Sequence, residues 1–205
     1  LSSSSAASDV YKRQTKEPTG CLVAVVGPSG AGKDTVLAAA AERASVAYGI
    51  LFVRRIITRS EGPGEDNEAM TPEAFDAAQA AGRFCLSWSA HDLSYALPAS
   101  ALAHTLAGGV AVANLSRRAL APAATIFPCL AVIEITAPGE VLRARLLARG
   151  RETERQVDAR LARAVPLDVP GSTRLHVRID NSGPLAGSVD RFVDALALLR
   201  QPETI

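Results

Sequence analysis

Apolar and polar positions divide this chain into blocks that alternate between the strand period and the helix period. Cys21 to Val26 (CLVAVV) is a short, β-branched apolar run of the kind buried on both faces of a parallel sheet. It breaks at GPSGAGKD into the alanine-rich stretch Thr35 to Ala44, which predicts a helix. Strand character returns over Ile50 to Ile57, and residues 58–67 (TRSEGPGEDN) read as a charged, Gly/Pro-rich loop facing solvent or ligand. Thr71-Pro72-Glu73 predicts a helix start with proline in the first turn, and that helix stops at Gly82. Phe84 to Trp88 reads as a strand whose two aromatics belong to the core. Pro98 to Ala107 predicts a helix, Gly108-Gly109 a turn, and Val110 to Asn114 (VAVAN) and Ala131 to Thr136 (AVIEIT) two further buried strands. After Pro138 a helix runs to Ala148, and an Arg-dense stretch begins at Arg149. Leu175 to Asp180 gives a last strand and Leu185 to Leu199 a last helix with apolar residues at helical spacing. Strands alternating with helices predict an α/β fold around a mostly parallel sheet, without internal repeats.

Composition narrows the picture. A chain of 205 residues, 48% hydrophobic, suits one well-buried domain. The 22 basic and 21 acidic residues are spread along it, so charge marks no nucleic-acid stripe and no membrane patch. No apolar run approaches the roughly 20 residues that span a bilayer, which predicts a soluble protein. Cys21, Cys85 and Cys129 are odd in number and far apart in apolar surroundings, which predicts neither a disulfide framework nor a CxxC metal site and fits a reducing cytoplasm. His91, His104 and His176 lack metal-ligand spacing. Residues 1–19 are small and polar, lack an apolar signal core and start on Leu; they read as a disordered or non-native leader to a domain at 20–201. Beyond Lys12 and Lys16 in that leader, Lys33 is the only lysine among many arginines, a bias that marks its position as one needing an ammonium.

Gly27-Pro28-Ser29-Gly30-Ala31-Gly32-Lys33 satisfies GxxxxGK between a buried strand and a helix, the context this motif requires. Glycines let consecutive N–H groups turn inward and the helix start adds partial positive charge, so the loop suits the phosphates of a nucleotide such as ATP. Lys33 would reach the β and γ phosphates as a mobile point charge. The next residue is Asp34, where Ser or Thr commonly holds Mg²⁺, and Thr35 comes one place late. A carboxylate is still a hard oxygen ligand, so Asp34 is the candidate metal residue; a first-turn Asp that merely favours the helix dipole is the alternative.

GPSGAGKD, RRIITR, GEDN, GRFCLSWSAH, VANLSR and RLLARGRE, in this order over about residues 20–200, resemble the ribose 1,5-bisphosphate phosphokinases, relatives of guanylate kinase. The resemblance implies a P-loop parallel sheet flanked by helices, with an acceptor-binding subdomain (about 54–98) and a mobile lid (about 149–163). It also implies transfer of the ATP γ-phosphoryl group to ribose 1,5-bisphosphate, a small phosphosugar, giving 5-phosphoribosyl 1-diphosphate and ADP within phosphonate breakdown. Guanylate kinases typically carry a guanine-reading pattern TTR…R…GE…DY; here Thr58-Arg59 remain, a second Arg is missing, and Asn67 follows Asp66 where Tyr is usual. Arg55, Arg59 and Tyr95 are left to hold acceptor phosphate, for which a forked guanidinium is suited. Where guanylate kinases place Asp-x-Asp at a strand end, this chain has Asn114-Leu115-Ser116, so Asp34 is expected to restore the missing charge near Mg²⁺. Arg149 and Arg160, eleven residues apart, match the two lid arginines and would neutralise the transferring group; Arg151, Arg155 and Arg163 read equally as solvated ion pairs.

A phosphate monoester acceptor is largely ionised at neutral pH, with its second pKa at about 6, so no general base is required and none presents itself. His91 is expected to order the acceptor pocket, and Asp180-Asn181 stands where relatives contact adenine or simply forms a turn. Ala96 after Tyr95, where relatives have Gly, narrows the backbone there. Two other readings stay open: a guanylate or other nucleoside monophosphate kinase, and a non-catalytic guanylate-kinase-like binding module.

Overall fold

The computed structural model describes residues 20–59, 67–90, 92–150, 152–162 and 166–199, with backbone only at 45–48. The leader 1–19, Asp66, His91, Arg151 and Arg163 lie outside the described residues. Strands β1 (Cys21–Val26), β2 (Leu51–Phe52), β7 (Val110–Asn114), β8 (Leu130–Thr136) and β9 (Leu175–Asp180) form a parallel sheet in the order β2-β7-β1-β8-β9. Every residue of the central strand β1 is buried because apolar layers cover both faces. Val23 and Val25 face helices α1 (Lys33–Tyr48) and α7 (Leu185–Leu198), while Leu22, Ala24 and Val26 face α3 (Ala99–Leu106) and α4 (Leu120–Ile126). Among the described residues no helix is long and apolar enough to cross a membrane.

A second sheet, in the order β4-β3-β6-β5, is built from β3 (Arg55–Ile57), β4 (Asn67–Ala69), β5 (Phe84–Ala90) and β6 (Leu93–Pro98). It is mostly antiparallel, and helix α2 (Pro72–Ala80) packs on it through Phe75, which meets Phe84 at 4.9 Å between ring centroids. Phe84 is half-buried against this cluster, as a core-packing residue, but a register shift between Phe84 and Leu86 breaks the strand alternation and leaves Trp88 packing with Leu86 in the other core layer.

The structure departs from the sequence reading in several places, among them β4, whose first residue, Asn67, the sequence pattern reads as loop. The run Ile50 to Ile57 is two strands in different sheets: the Val53 amide still donates to the Val112 carbonyl (2.8 Å), and the chain then crosses over at Arg54. Strand β6 lies in LSYALP, which lacks a β-branched run; its pairing with β5, through a turn where Asp92 takes φ 59°, makes it a strand. Helix α4, where the sequence pattern marks no element, contains Pro122, and in a first turn its missing N–H costs no hydrogen bond. Lastly, the expectation of no disulfide is overturned, because Cys21 and Cys129 are bonded. They precede the register pair Leu22↔Leu130 on neighbouring parallel strands, so their Cα atoms lie 4.5 Å apart despite a sequence separation of 108. Cys85 is the free thiol, and burial raises its pKa.

Candidate active site

The carboxyl ends of the parallel strands meet at one edge, where α/β sheets bind ligands. β1 ends there at Val26 and runs into Gly27, β7 ends in Asn114, β8 in Thr136 and β9 in Asp180. Gly27 has φ 147° and lies so close to the Ile135 carbonyl that any Cβ would strike it, so only glycine lets the loop leave the sheet at this point. Gly32 has φ 86°, and a Cβ there would meet Asn181 Nδ2 at 2.6 Å. Between them Gly30 also has positive φ, and the loop feeds directly into α1, with Val36 N donating to Gly32 O (3.0 Å). The result is a curled backbone at a helix N-terminus, a geometry suited to an anion.

Lys33 lies over this loop, its ammonium donating to the carbonyls of Gly27 (2.9 Å) and Pro28 (3.0 Å). Burial lowers its pKa to about 8; Asp34 opposes that shift, and the guanidinium groups of Arg55, Arg117 and Arg149 add to it. The arrangement brings three guanidinium charges within electrostatic reach of Lys33, a field that a polyphosphate would relieve. Above pH about 8 the ammonium is lost, so the affinity for a non-hydrolysable ATP analogue is expected to fall about tenfold per further pH unit. Near pH 8, binding should take up a fraction of a proton, which calorimetry in two buffers of different ionisation enthalpy would read. The sign for folding is the reverse: between about 8 and 10.5 the unfolded chain holds this proton more tightly, so stability rises with pH across that window. If affinity stays flat to pH 10, the lysine is not the group that meets the phosphates.

Asp34 stands in the first turn of α1, and Asn114 at the end of β7 donates its side-chain amide to Asp34 Oδ1 at 2.7 Å. The loop carboxylate and the strand-end amide thus form one unit. Thr35 is exposed on the helix.

On the second sheet, Arg55 has its guanidinium 5.7 Å above the Tyr95 ring and donates from Nε to Asn67 Oδ1 (3.2 Å). Tyr95 in turn stacks on Trp88, with centroids 5.5 Å apart and planes 8° from parallel. Trp88 is half-buried, so it is a core residue that also supports this platform. Arg59 lies just past β3, where Thr58 ties the chain to Ser94: the Ser94 amide donates to Thr58 Oγ1 (2.9 Å) and the Thr58 amide to Ser94 O (3.0 Å).

Arg149 caps α5 (Gly139–Ala148) and is exposed toward the lysine, whereas Arg160 on α6 (Glu154–Ala162) pairs with Glu152 at 3.0 Å. The structure thus brings Arg149 toward the loop and leaves Arg160 engaged elsewhere on α6. Helices α5 and α6 are joined by Arg143, which reaches Asp158 (2.8 Å) and Glu154 (3.0 Å).

Sequence reasoning missed three supports. Asn67 holds Arg55 and, through its carbonyl, Arg54 (3.1 Å). Asn181 is buried and donates from Nδ2 to Ala31 O (2.8 Å), bracing the loop, while Arg145 Nη2 donates to the Asn181 carbonyl (2.8 Å). Arg117 joins the cationic group from the turn after β7. An asparagine beside a strand end was the available signal for the first two, since a buried amide must find partners.

Comparison with known proteins finds relatives along most of the chain. Ribose 1,5-bisphosphate phosphokinase PhnN of Brucella melitensis biotype 2 is 45% identical over 184 residues, covering 89% of this chain and 95% of that protein. The protein of the same name from a Chelativorans species is 50% identical over 186 residues, covering 86% and 85%. Among solved structures, guanylate kinase from Anaplasma phagocytophilum matches with a TM-score of 0.65 at 16% identity, over 90% of this chain and 89% of that one, which is a likeness of fold. No family model matches the chain.

Proposed function

Because the chain belongs to the ribose 1,5-bisphosphate phosphokinase family, we propose that this kinase transfers the γ-phosphoryl group of ATP to the 1-phosphate of ribose 1,5-bisphosphate, forming 5-phosphoribosyl 1-diphosphate and ADP. The observation that carries the reading is Lys33 lying over the phosphate loop, with the charges of Arg55, Arg117 and Arg149 in electrostatic reach of it. Two polyanions must be brought together for such a transfer, and that demands cations between them. The loop Gly27 to Lys33, with Asp34 and Thr35 at the start of α1, takes the donor phosphates. Arg55, Arg59 and Tyr95 take the acceptor. Arg149 and, on lid closure, Arg160 neutralise the transferring group.

The chemistry is in-line displacement. An oxygen of the ionised acceptor phosphate attacks the γ-phosphorus, and the bond to the β–γ bridging oxygen breaks, its electron pair leaving with ADP. No proton has to move, because the acceptor is already charged. Mg²⁺ fits this site as a cation sharing its ligands with the nucleotide: Asp34 supplies a hard oxygen, and among the described residues no cluster of three or more His, Cys, Asp or Glu could hold a metal alone. When bound, it would neutralise β and γ oxygens. ATP and small phosphorylated sugars belong to the cytoplasm, and we place the reaction there, in phosphonate breakdown.

An ADP-release assay with ribose 1,5-bisphosphate, with GMP and with no acceptor tests the proposal. Release driven by the sugar bisphosphate is the expected result. Turnover on GMP alone would make the chain a nucleoside monophosphate kinase, and no transfer with any acceptor would leave a binding module.

A further inference from the structure

Strand β8 contains a residue that its burial pattern does not predict. Leu130 and Val132 point into the apolar layer shared with Leu22, Ala24 and Ala113, and strand alternation puts Glu134 next in that row. Glu134 is 3% exposed, on a strand otherwise made of apolar residues and a terminal Thr. A carboxylate at such a position is costly unless it is paired. Its Oε2 accepts from Arg178 Nε at 2.7 Å, and its Oε1 lies 3.8 Å from Arg117 Nη2. Arg178 comes from the sheet edge with its side chain 69% exposed, whereas the Arg117 side chain is 22% exposed and lies toward the interior.

Arg117 begins the 3-10 turn Arg117–Ala119, three residues beyond Asn114, which holds Asp34. Leu115 N donates to Val25 O (2.9 Å), so this segment runs beside the last residues of β1 before Gly27. The same turn packs against β5, the strand that carries Trp88 beneath Tyr95. Arg117 thus stands between the phosphate loop and the acceptor sheet, and Glu134, paired in register with Val26, lies at the level where the loop begins.

We propose that Arg117 binds the attacking phosphate of the acceptor and that Glu134 is its positioning residue, with Arg178 holding Glu134 from the sheet edge. The inference rests on the functional reading above and gives Arg117, the last residue of VANLSR, a role that the sequence reading did not assign. A guanidinium held 3.8 Å from a buried carboxylate keeps its positive charge at a set place beside the loop, and a planar guanidinium suits phosphate oxygens. Neutralisation by Glu134 also limits the repulsion that Arg117 would otherwise exert on Lys33.

Steady-state kinetics of four proteins test it: wild type, Arg117→Ala, Glu134→Gln and the double variant. Arg117→Ala is expected to raise the acceptor KM about thirtyfold while the ATP KM moves less than about threefold, and Arg117→Lys to recover part of the loss. Glu134→Gln, nearly isosteric, is expected to raise the acceptor KM about fivefold and to add nothing in the Arg117→Ala background, since it acts through that residue. A purely structural glutamate would add its full effect to both backgrounds, and that outcome overturns the positioning role. Should Glu134→Gln fail to fold in thermal melts, Glu134→Asp keeps the charge, shortens the reach and serves the same cycle. Wild-type transfer to the sugar with an unchanged acceptor KM in Arg117→Ala overturns this inference alone. A wild-type protein that transfers to no acceptor overturns the functional reading and this one with it.

Discussion

Lys33→Met is expected to lower kcat/KM by about a thousandfold, or about 4 kcal/mol of transition-state stabilisation, with little change in melting temperature. The size follows from what stands around the ammonium. It is the sole lysine among the described residues, it lies over the carbonyls of Gly27 and Pro28, and it is largely desolvated, so its charge acts at short range in a weakly screened place. Methionine keeps the stem and loses the charge. Folding should tolerate it, because the substitution removes a partly buried cation from beside three arginines as well as two hydrogen bonds. Arg55, Arg117 and Arg149 cannot replace the lysine: each is anchored in an element outside the loop, and a planar guanidinium does not move as a point charge does. A Lys33→Met protein within tenfold of wild type would mean that the phosphoryl group travels elsewhere.

Asp34→Ser is expected to weaken binding of Mn²⁺ with an ATP analogue by at least about tenfold, read by electron paramagnetic resonance, and to lower turnover about a hundredfold. The reasoning concerns where one negative charge sits. P-loop enzymes commonly place a hydroxyl after the lysine and a carboxylate at a strand end. This chain has the carboxylate after the lysine and an amide at the end of β7, in contact at 2.7 Å. Asp34→Ser leaves a hydroxyl facing an amide, with no charge on either side. Restoring it from the other partner, in Asp34→Ser with Asn114→Asp, is therefore expected to recover much of the cation affinity, whereas Asn114→Asp alone would oppose two carboxylates. If the single Asp34→Ser change leaves both cation affinity and Mg²⁺ dependence intact, Asp34 is only a first-turn residue favouring its helix.

Local patterns carried much of this fold. CLVAVV followed by GPSGAGK states a buried strand, a glycine turn and a helix start, each fixed by neighbouring residues, and the structure forms all three. What escaped depends on partners distant in the chain. LSYALP becomes β6 only by pairing with β5 and β3. Cys21 finds Cys129 only after a crossover of 108 residues brings β8 beside β1. Arg149 and Arg160 look equivalent in RG…RL, yet one caps α5 toward the lysine and the other meets Glu152. Glu134 was visible in AVIEIT as a lone charge in an apolar run; without Arg117 and Arg178 in space, its meaning was not.

The crossing from β2 to β3 uses only Val53 and Arg54, and Val53 is itself fastened to Val112. Two extended residues reach about 7 Å at most. Arg55 is thereby tethered at almost constant reach from the sheet that carries the glycine loop, and that reach is expected to act as a gauge. With Arg55 as the acceptor grip proposed above, a molecule whose anionic ends are spaced to suit that reach is expected to touch both grips at once, and a shorter or bulkier one to forfeit a contact before any bond is made or broken.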